Sequence, residues 1–532
     1  MPQKACKSCG QGFEISPDDL AFYTQITVPT PTLCPDCRMQ RRMAFRNERN
    51  LYKRTCDFSG REMISLYPAS SPYKIYEQSV WWSDQWDPME YGMDYDPSRP
   101  FFEQFGELLL KVPRIALQNN KNENSAYGND TSNLKNCYLC FNAQDMEDCC
   151  YVTTGGFNSR DCLDLFWSLG CELSYECTKA TGAYHCFFCF NSSEISDCRF
   201  CEDCVGCKNC FGCVGLRQKE YCIYNQQATK AQYEEFMKNF HFTPESIQAE
   251  KEKLRALRLT VPCKNLAIHN SEDCEGDFIS DSKNCSACFD VMYSQNGKYI
   301  WDAMVNNSYD CYNTGLDTNF AFEAVATYVV NNVKCTNICT HSSDLSICDS
   351  CTQSEHLLGC VSLKHKKYCI LNKQYSKEDY EALVPKIIAA MQRDGEWGEF
   401  FPAQLSPFGY NDSMAAEYFP LTRDQALAQG FQWNDTVKPT PTTNTSESIL
   451  QCKKDQKHYR ITPEELKFYQ REALPLPELC PDCRHYERKA LLNPRKLWDR
   501  SCMKCAAPIK TTYAPNRQEI VYCEACTLKE LY

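Results

Sequence analysis

Residues 198–213 read "CRFCEDCVGCKNCFGC", a cysteine at every third position six times in succession. An α-helix turns through about 300° over three residues, so these side chains would scatter around its cylinder. A flat strand alternates with period two and cannot hold the pattern either. Extended outward, the same series runs Cys162, Leu165, Ser168, Cys171, Ser174, Cys177, Ala180, Ala183, Cys186, Cys189, Ser192, Ile195, then the six cysteines, then Leu216, Lys219 and Cys222. All but Lys219 are small or apolar. Cysteines also recur twelve apart, at 137 and 149, 177 and 189, 186 and 198, 189 and 201, 339 and 351, and 348 and 360. A narrow coil with tight corners, one inward residue in three and about 12 residues per turn, meets both observations. The sequence therefore predicts a mainly β protein with a cysteine-lined β-solenoid core, in which cysteine serves as a small buried side chain. The phase slips between 149 and 162 and again near 311, which predicts bulges or longer corners there. About seven coils in the first half would span ~35 Å at the inter-strand spacing.

Two other readings compete for the same cysteines. A ferredoxin-type iron–sulfur cluster needs a fourth cysteine followed by proline, which "CVGCKNCFGCVGL" lacks. A disulfide ladder needs an oxidising compartment. The second copy of the pattern favours a lining role. "SDLSICDSCTQSEHLLGCVSLKHKKYCILN", from Ser343, aligns with "SDCRFCEDCVGCKNCFGCVGLRQKEYCIYN", from Ser196, at an offset of 147. It places Leu345, Ser354 and Leu357 where the first copy has Cys198, Cys207 and Cys210. Leucine cannot replace a metal ligand, but it can replace a core residue.

This inner duplication sits inside an outer one. Residues 6–56 align without a gap on 452–502, with 22 of 51 positions identical. The resulting layout is an end unit (1–60), an aromatic-rich segment (61–130), a first solenoid half (131–227), a helical insert (228–262), a second half (263–374), a helical cap with a small extension (375–435), a Pro/Thr/Ser-rich linker (436–449) that leaves the rest tethered, and a C-terminal unit (450–532). Ser16 reads as an N-cap before Pro17 and two first-turn acids, and capping-box-like signals mark helix starts at Thr229, Ser376 and Thr422. "WWSDQWDPMEYGMDYDPSRPFFEQF", residues 81–105, is too apolar to be solvated. It is expected to pack on the first coil, with an aromatic ligand platform as the alternative.

Each end unit carries CxxC pairs. Cys6, Cys9, Cys34 and Cys37 have the spacing of a tetrahedral four-thiolate zinc site, as do Cys502, Cys505, Cys523 and Cys526. The positions aligned with this second set in the N-terminal unit are Cys56, Ser59, Glu77 and Val80, so that site is lost. Cys452, Asp455, Cys480 and Cys483 form a third, weaker candidate, with aspartate where the first unit has Cys9. "CKSCGQGFEI", "LAFY" and "CPDCRMQRR" resemble the bacterial zinc-binding treble-clef family, whose pattern runs CxxCG, an aromatic, FY, CPDCR and basic residues. The likeness covers about 40 residues at each end and implies a treble clef, followed at the C-terminus by a zinc ribbon. The whole layout resembles cysteine-rich proteins of uncultured small-genome bacteria.

Net charge is −12 and charged content 24% over 532 residues, which argues against nucleic-acid coating by the whole surface. The N-terminus lacks an apolar signal-type segment, and no run of about 18 apolar residues suggests a span. With 39 cysteines, this predicts reduced thiols and a cytoplasmic location. The motif of a P-loop, a GxSxG elbow or an HExxH zincin is missing. The reading that results is a non-enzymatic zinc-binding scaffold or adaptor with zinc as cofactor. Its basic helices, carrying Arg38, Arg41, Arg42, Arg46, Arg49, Lys53, Arg54, Arg484, Arg488, Arg495 and Arg500, would contact nucleic acid or the ribosome through phosphate. The alternative is a carbohydrate-active or metal/redox protein built on the solenoid.

Overall fold

The computed structural model describes residues 3–313, 315, 318–436 and 448–531. The chain forms two compact units. One joins Met1–Ala116 to Ala267–Thr436; the other joins Leu117–Leu266 to Val437–Tyr532. Each unit therefore combines one solenoid half with the end unit from the far side of the sequence.

Both halves are parallel β-solenoids of about 12 residues per coil. The ladder Tyr175–Phe187–Arg199–Phe211 shows the repeat. Each coil has four short sides of three residues: an outward residue bridged to its neighbours, a corner residue and an inward residue. The corner is left-handed. Between 173 and 200 it falls on Leu173, Glu176, Lys179, Gly182, His185, Phe188, Asn191, Glu194, Asp197 and Phe200, all at positive φ. Left-handed backbone costs about 1–2 kcal/mol for most residues and less for Asn, Asp and Gly. Amide and carboxylate corners recover part of this by bonding from coil to coil, as in Asn136 Nδ2 to Asp148 Oδ1 (2.9 Å) and Asn296 Nδ2 to Asn307 Oδ1 (2.8 Å).

The backbone bonding explains the choice of lining residue. Between 172 and 213 the bridge residue donates its N–H to an inward residue's carbonyl in the next coil (Tyr184 to Ile195, 2.9 Å). The corner residue donates back to the coil before (Phe188 to Tyr175, 2.9 Å). The inward N–H has no carbonyl partner along 172–221. It points at the side chain stacked one coil earlier: Cys186 N–H donates to Ser174 Oγ (3.2 Å) and Cys204 N–H to Ser192 Oγ (3.1 Å). Where that side chain is cysteine the sulfur accepts, as Cys177 does from Cys189. The thiol in turn faces two carbonyls; Cys177 Sγ lies 3.5 Å from Tyr175 O and 3.2 Å from Cys186 O. A buried, unpaired amide is costly, so a short side chain with a heteroatom is selected. Leu345 and Leu357 lie where the coil sides form the longer strands Thr340–Asp349 and Glu355–Leu358. The inner cysteines are free thiols and line two continuous cores.

The sequence phase slips are longer coils. Cys150 pairs with Leu163 and Tyr309 with Phe322, thirteen residues on. Gly156 lies in the first of these coils, at φ +118; a Cβ there would sit 1.9 Å from Gln144 O. The second half also contains 11-residue coils, such as Lys298 to Tyr309, which cysteine spacing alone did not show. Each half ends on an asparagine that imitates a further strand. Asn225 accepts from Val214 N–H and donates to Val214 O (both 2.8 Å), and Asn372 does the same with Val361 (2.8 and 2.9 Å).

Several boundaries differ from the sequence reading. The first ladder starts at Asn119–Asn120. Cys263–Lys264 leaves the solenoid and pairs with Val521–Tyr522 of the C-terminal unit. The aromatic segment packs on the last coils of the second half, not on a first coil. Phe101 lies over Gly359, where a Cβ would meet its ring at 2.4 Å, and Trp81, Trp82 and Trp86 surround Lys364 Nζ at 4.1, 5.3 and 5.1 Å from their ring centres. The platform is filled by the protein's own ammonium group. Helices Lys230–Asn239 and Pro244–Arg258 follow the first half, with Phe236 and Phe240 against Phe211 at 4.8 Å. Apart from Thr436, Ser448 and Ile449, the 436–449 linker lies outside the described residues. The C-terminal unit is docked rather than loosely tethered, its Phe468 and Tyr469 joining Phe187, Phe188 and Phe200 in one apolar cluster.

Ser192→Ala should remove the acceptor of the buried Cys204 amide and lower unfolding free energy by about 1–3 kcal/mol. Ser192→Cys should retain most of that stability. Denaturant unfolding of the two variants distinguishes the outcomes.

Candidate metal centres

Four hairpin knuckles are built to one plan. Strands Gln3–Ala5 and Gly12–Glu14, Tyr52–Thr55 and Glu62–Ser65, Ser448–Gln451 and His458–Ile461, and Trp498–Ser501 and Pro508–Thr511 pair antiparallel. The residue after each first strand is a cysteine: Cys6, Cys56, Cys452 or Cys502. Four positions later the chain turns left-handed, at Gly10, Gly60, Gln456 and Ala506, and that residue's N–H closes on the cysteine carbonyl at 2.9–3.0 Å. Two further N–H groups converge on each sulfur. Cys6 receives them from Cys9 and Cys34, Cys452 from Asp455 and Cys480, Cys502 from Cys505 and Cys523, and Cys56 from Ser59 and Glu77. The measured N–S distances are 3.2 Å for Cys34 to Cys6 and 3.2 Å for Cys523 to Cys502. Burial opposes ionisation at all four sulfurs, yet the amides outweigh it and hold each thiol below its ordinary range, Cys502 at about 6. Amides aimed at sulfur favour the thiolate, the form that ligates metal.

Three of the knuckles are completed by a second pair of ligands. Cys6, Cys9, Cys34 and Cys37, then Cys502, Cys505, Cys523 and Cys526, then Cys452, Asp455, Cys480 and Cys483, each bring their ligand atoms within 4.8 Å of one another. Cys9 and Cys34 Sγ are 3.8 Å apart, as are Cys505 and Cys523 Sγ, and Cys480 Sγ lies 3.7 Å from Asp455 Oδ2. A tetrahedron with bonds of about 2.3 Å has an edge of about 3.8 Å, so these groups could hold a metal ion. The second pair opens a helix in all three sites: Cys34 caps Pro35–Met43, Cys480 caps Pro481–Ala490 and Cys523 directly precedes Glu524–Leu531, where the helix dipole adds to the preference for negative charge. Hydrogen bonding from Cys37 brings Cys34 down to about 5. At the fourth knuckle, Cys56 keeps its amides but Ser59 and Glu77 stand where ligands would be, and Glu77 pairs with Arg61 at 3.0 Å. Among the described residues, no group of inner cysteines meets the same 4.8 Å criterion.

No protein-family model and no curated protein matches this chain. Among solved structures it is similar to "putative acetyltransferase from Desulfovibrio desulfuricans G20", with 10% identity, 49% of this chain and 71% of that chain covered, and a TM-score of 0.11. A likeness that slight has no bearing on activity.

The basic helices have a different use from phosphate contact. Arg38 Nε donates to Asp310 Oδ2 (3.0 Å), and Arg42 reaches the other oxygen of the same carboxylate at 3.5 Å. Arg41 pairs with Glu323 (2.8 Å) and Glu399 (3.0 Å), and Arg46 with Glu48. The C-terminal unit repeats the clamp. Arg484 Nε donates to Asp164 Oδ2 (2.8 Å) and Arg488 pairs with Oδ1 (2.9 Å). Arg38 and Arg484 also donate to Leu33 O and Leu479 O, both at 2.7 Å. Asp164 and Asp310 are corresponding left-handed corners, each just after a bridge residue (Leu163 or Tyr309), and both are wholly buried. Burial works against the Arg38 charge, but Asp310, with Tyr23 and Glu323 behind it, raises its pKa above the ordinary value. The assignment of Arg38, Arg41, Arg42, Arg46, Arg484 and Arg488 to nucleic-acid contact is thus corrected: these charges are spent inside the units. Arg54 pairs with Asp57, Arg49, Arg495 and Arg500 are half-buried, and Lys53 is exposed. The burial of Arg38, Arg42, Arg484 and Arg488 could not be read from the helix sequence, because their partners Asp310 and Asp164 are single acidic corners hundreds of residues away.

Asp164→Ala leaves two buried guanidinium groups facing each other and should cost about 3–5 kcal/mol. Adding Arg484→Met and Arg488→Met should recover part of it, as a thermal unfolding series would show. Ala506→Gly relieves a left-handed alanine and should raise stability by about 1 kcal/mol in the same assay.

Proposed function

We propose that this protein is a non-enzymatic zinc-binding scaffold or adaptor, with zinc at the two four-thiolate sites and at the Cys452, Asp455, Cys480 and Cys483 site. One observation carries the reading: the ligands that close a site also form the first turn of the helix that clamps the solenoid. Cys34 and Cys37 immediately precede Arg38, and Cys480 and Cys483 immediately precede Arg484. A metal held there fixes the N-terminal turn of Pro35–Met43 or Pro481–Ala490, and so positions two guanidinium groups on a buried aspartate. The metal's role is structural: it orders side chains that pack. The donor sets, three or four thiolates in a tetrahedral cage, suit zinc. Treble-clef and zinc-ribbon architectures, and a cytoplasmic setting that keeps the thiols reduced, fit the same reading. Among the described residues, no helix is long and apolar enough to cross a membrane. Nucleic acid or the ribosome, as a partner, would have to be met by side chains other than the clamped arginines.

Elemental analysis of the purified protein should give three zinc ions per chain. Cys37→Ser should remove one of them and lower the melting temperature of the unit that contains Asp310. A protein without zinc, or one with the visible absorption of an iron–sulfur cluster, would overturn the proposal.

A further inference from the structure

The N-terminal site and the Cys452 site are the same hairpin, the same helix and the same clamp, but they differ in one ligand. Cys9 in the first is replaced by Asp455 in the second. Asp455 already has another bonding partner. Its Oδ1 accepts Lys457 N–H at 3.2 Å, and its Oδ2 lies 3.4 Å from Lys457 Nζ. The position equivalent to Lys457 in the N-terminal unit is Gln11, which carries no ammonium group. The carboxylate is also a harder, weaker ligand for a soft-tolerant cation than a thiolate, and its side chain is 26% exposed. When the metal leaves, the aspartate has Lys457 as a counter-ion; the equivalent Gln11 offers a thiolate at Cys9 no such charge. Cys480 and Cys483, on the other side of the site, belong to the turn that carries Arg484 onto Asp164.

We propose that the site of Cys452, Asp455, Cys480 and Cys483 is an exchangeable zinc site, loaded and emptied while the two four-thiolate sites remain filled, and that its occupancy sets how firmly helix Pro481–Ala490 is held against Asp164. This rests on the zinc-scaffold reading and assigns one of its sites a responsive role. Zinc bound to the docked helix and not to a loosened one stabilises docking by mass action. The N-terminal unit, with four thiolates, provides the static counterpart within the same chain.

The test uses the full-length, zinc-loaded protein and an excess of the chromophoric chelator 4-(2-pyridylazo)resorcinol, with hydrogen exchange followed in parallel. One of three equivalents should leave in a separate, faster phase. During that phase helix Pro481–Ala490 should lose amide protection while helix Pro35–Met43 keeps its own. Asp455→Cys should abolish the fast phase, and Cys9→Asp should move a second equivalent into it, so that the outcome does not depend on one variant folding. Three equivalents released in a single phase would overturn the inference while leaving the scaffold reading intact. So would a fast phase that persists in Asp455→Cys, or protection of Pro481–Ala490 that does not change. Fewer than three equivalents in the loaded protein would instead remove the scaffold reading at this site.

Discussion

A coil of four three-residue sides turns one backbone amide in three toward its own axis. No carbonyl waits there, because the carbonyls run along the axis and are taken by the bridge residues of the neighbouring coil. A serine or cysteine in the coil before can meet the amide, being short enough to fit and able to accept; Ala180, Ala183 and Ile195 in the same line offer no acceptor. Serine accepts with oxygen and cysteine with sulfur, and cysteine also fills the apolar interior. The abundance of cysteine in the two cores is therefore a solution to backbone bonding as much as to packing. Burial raises the pKa of core thiols such as Cys140, Cys186 and Cys360 well above the ordinary range and suppresses the thiolate there, whereas hydrogen bonds from neighbouring thiols bring Cys137 and Cys213 down to about 4.

The end units use the same elements for the opposite purpose. In the knuckles, amides again point at sulfur, and there they outweigh burial and bring the first cysteine of each site down, ready for a cation. The clamp of two arginines on one aspartate then joins each end unit to a solenoid half. Replacing either partner alone would strand a desolvated charge.

Much of this was legible from residues alone. The period of three gave the coil, the recurrence at twelve gave its length, and the slip after Cys149 located a longer coil. CxxC spacing and the internal alignment located all three ligand sets, and Ser16, Thr229 and Thr422 cap their helices as read. What was not legible depends on distant partners. Asp164 and Asp310 look like ordinary corner residues among many Asn and Asp, since the left-handed corner selects those types anyway. Nothing local distinguishes a corner that meets two guanidinium groups. The exchange of end units between halves was hidden for the same reason: the inner and outer repeats have independent offsets, and neither offset records which copy meets which. The tryptophan cluster was read as packing, but its place on the last coils depends on Lys364 and Gly359, far along the chain.

That exchange has a consequence for how the protein is made. Asp164 is synthesised 320 residues before Arg484. At about 5–20 residues per second, the nascent first solenoid half carries an uncompensated carboxylate for roughly 15–60 s. The N-terminal arginines are made 272 residues before Asp310, so their helix waits as well. Neither unit can close as its first part leaves the ribosome. Both depend on a later segment of the same polypeptide, and a truncated translation product would expose an acidic corner or a bare guanidinium pair to the quality-control machinery.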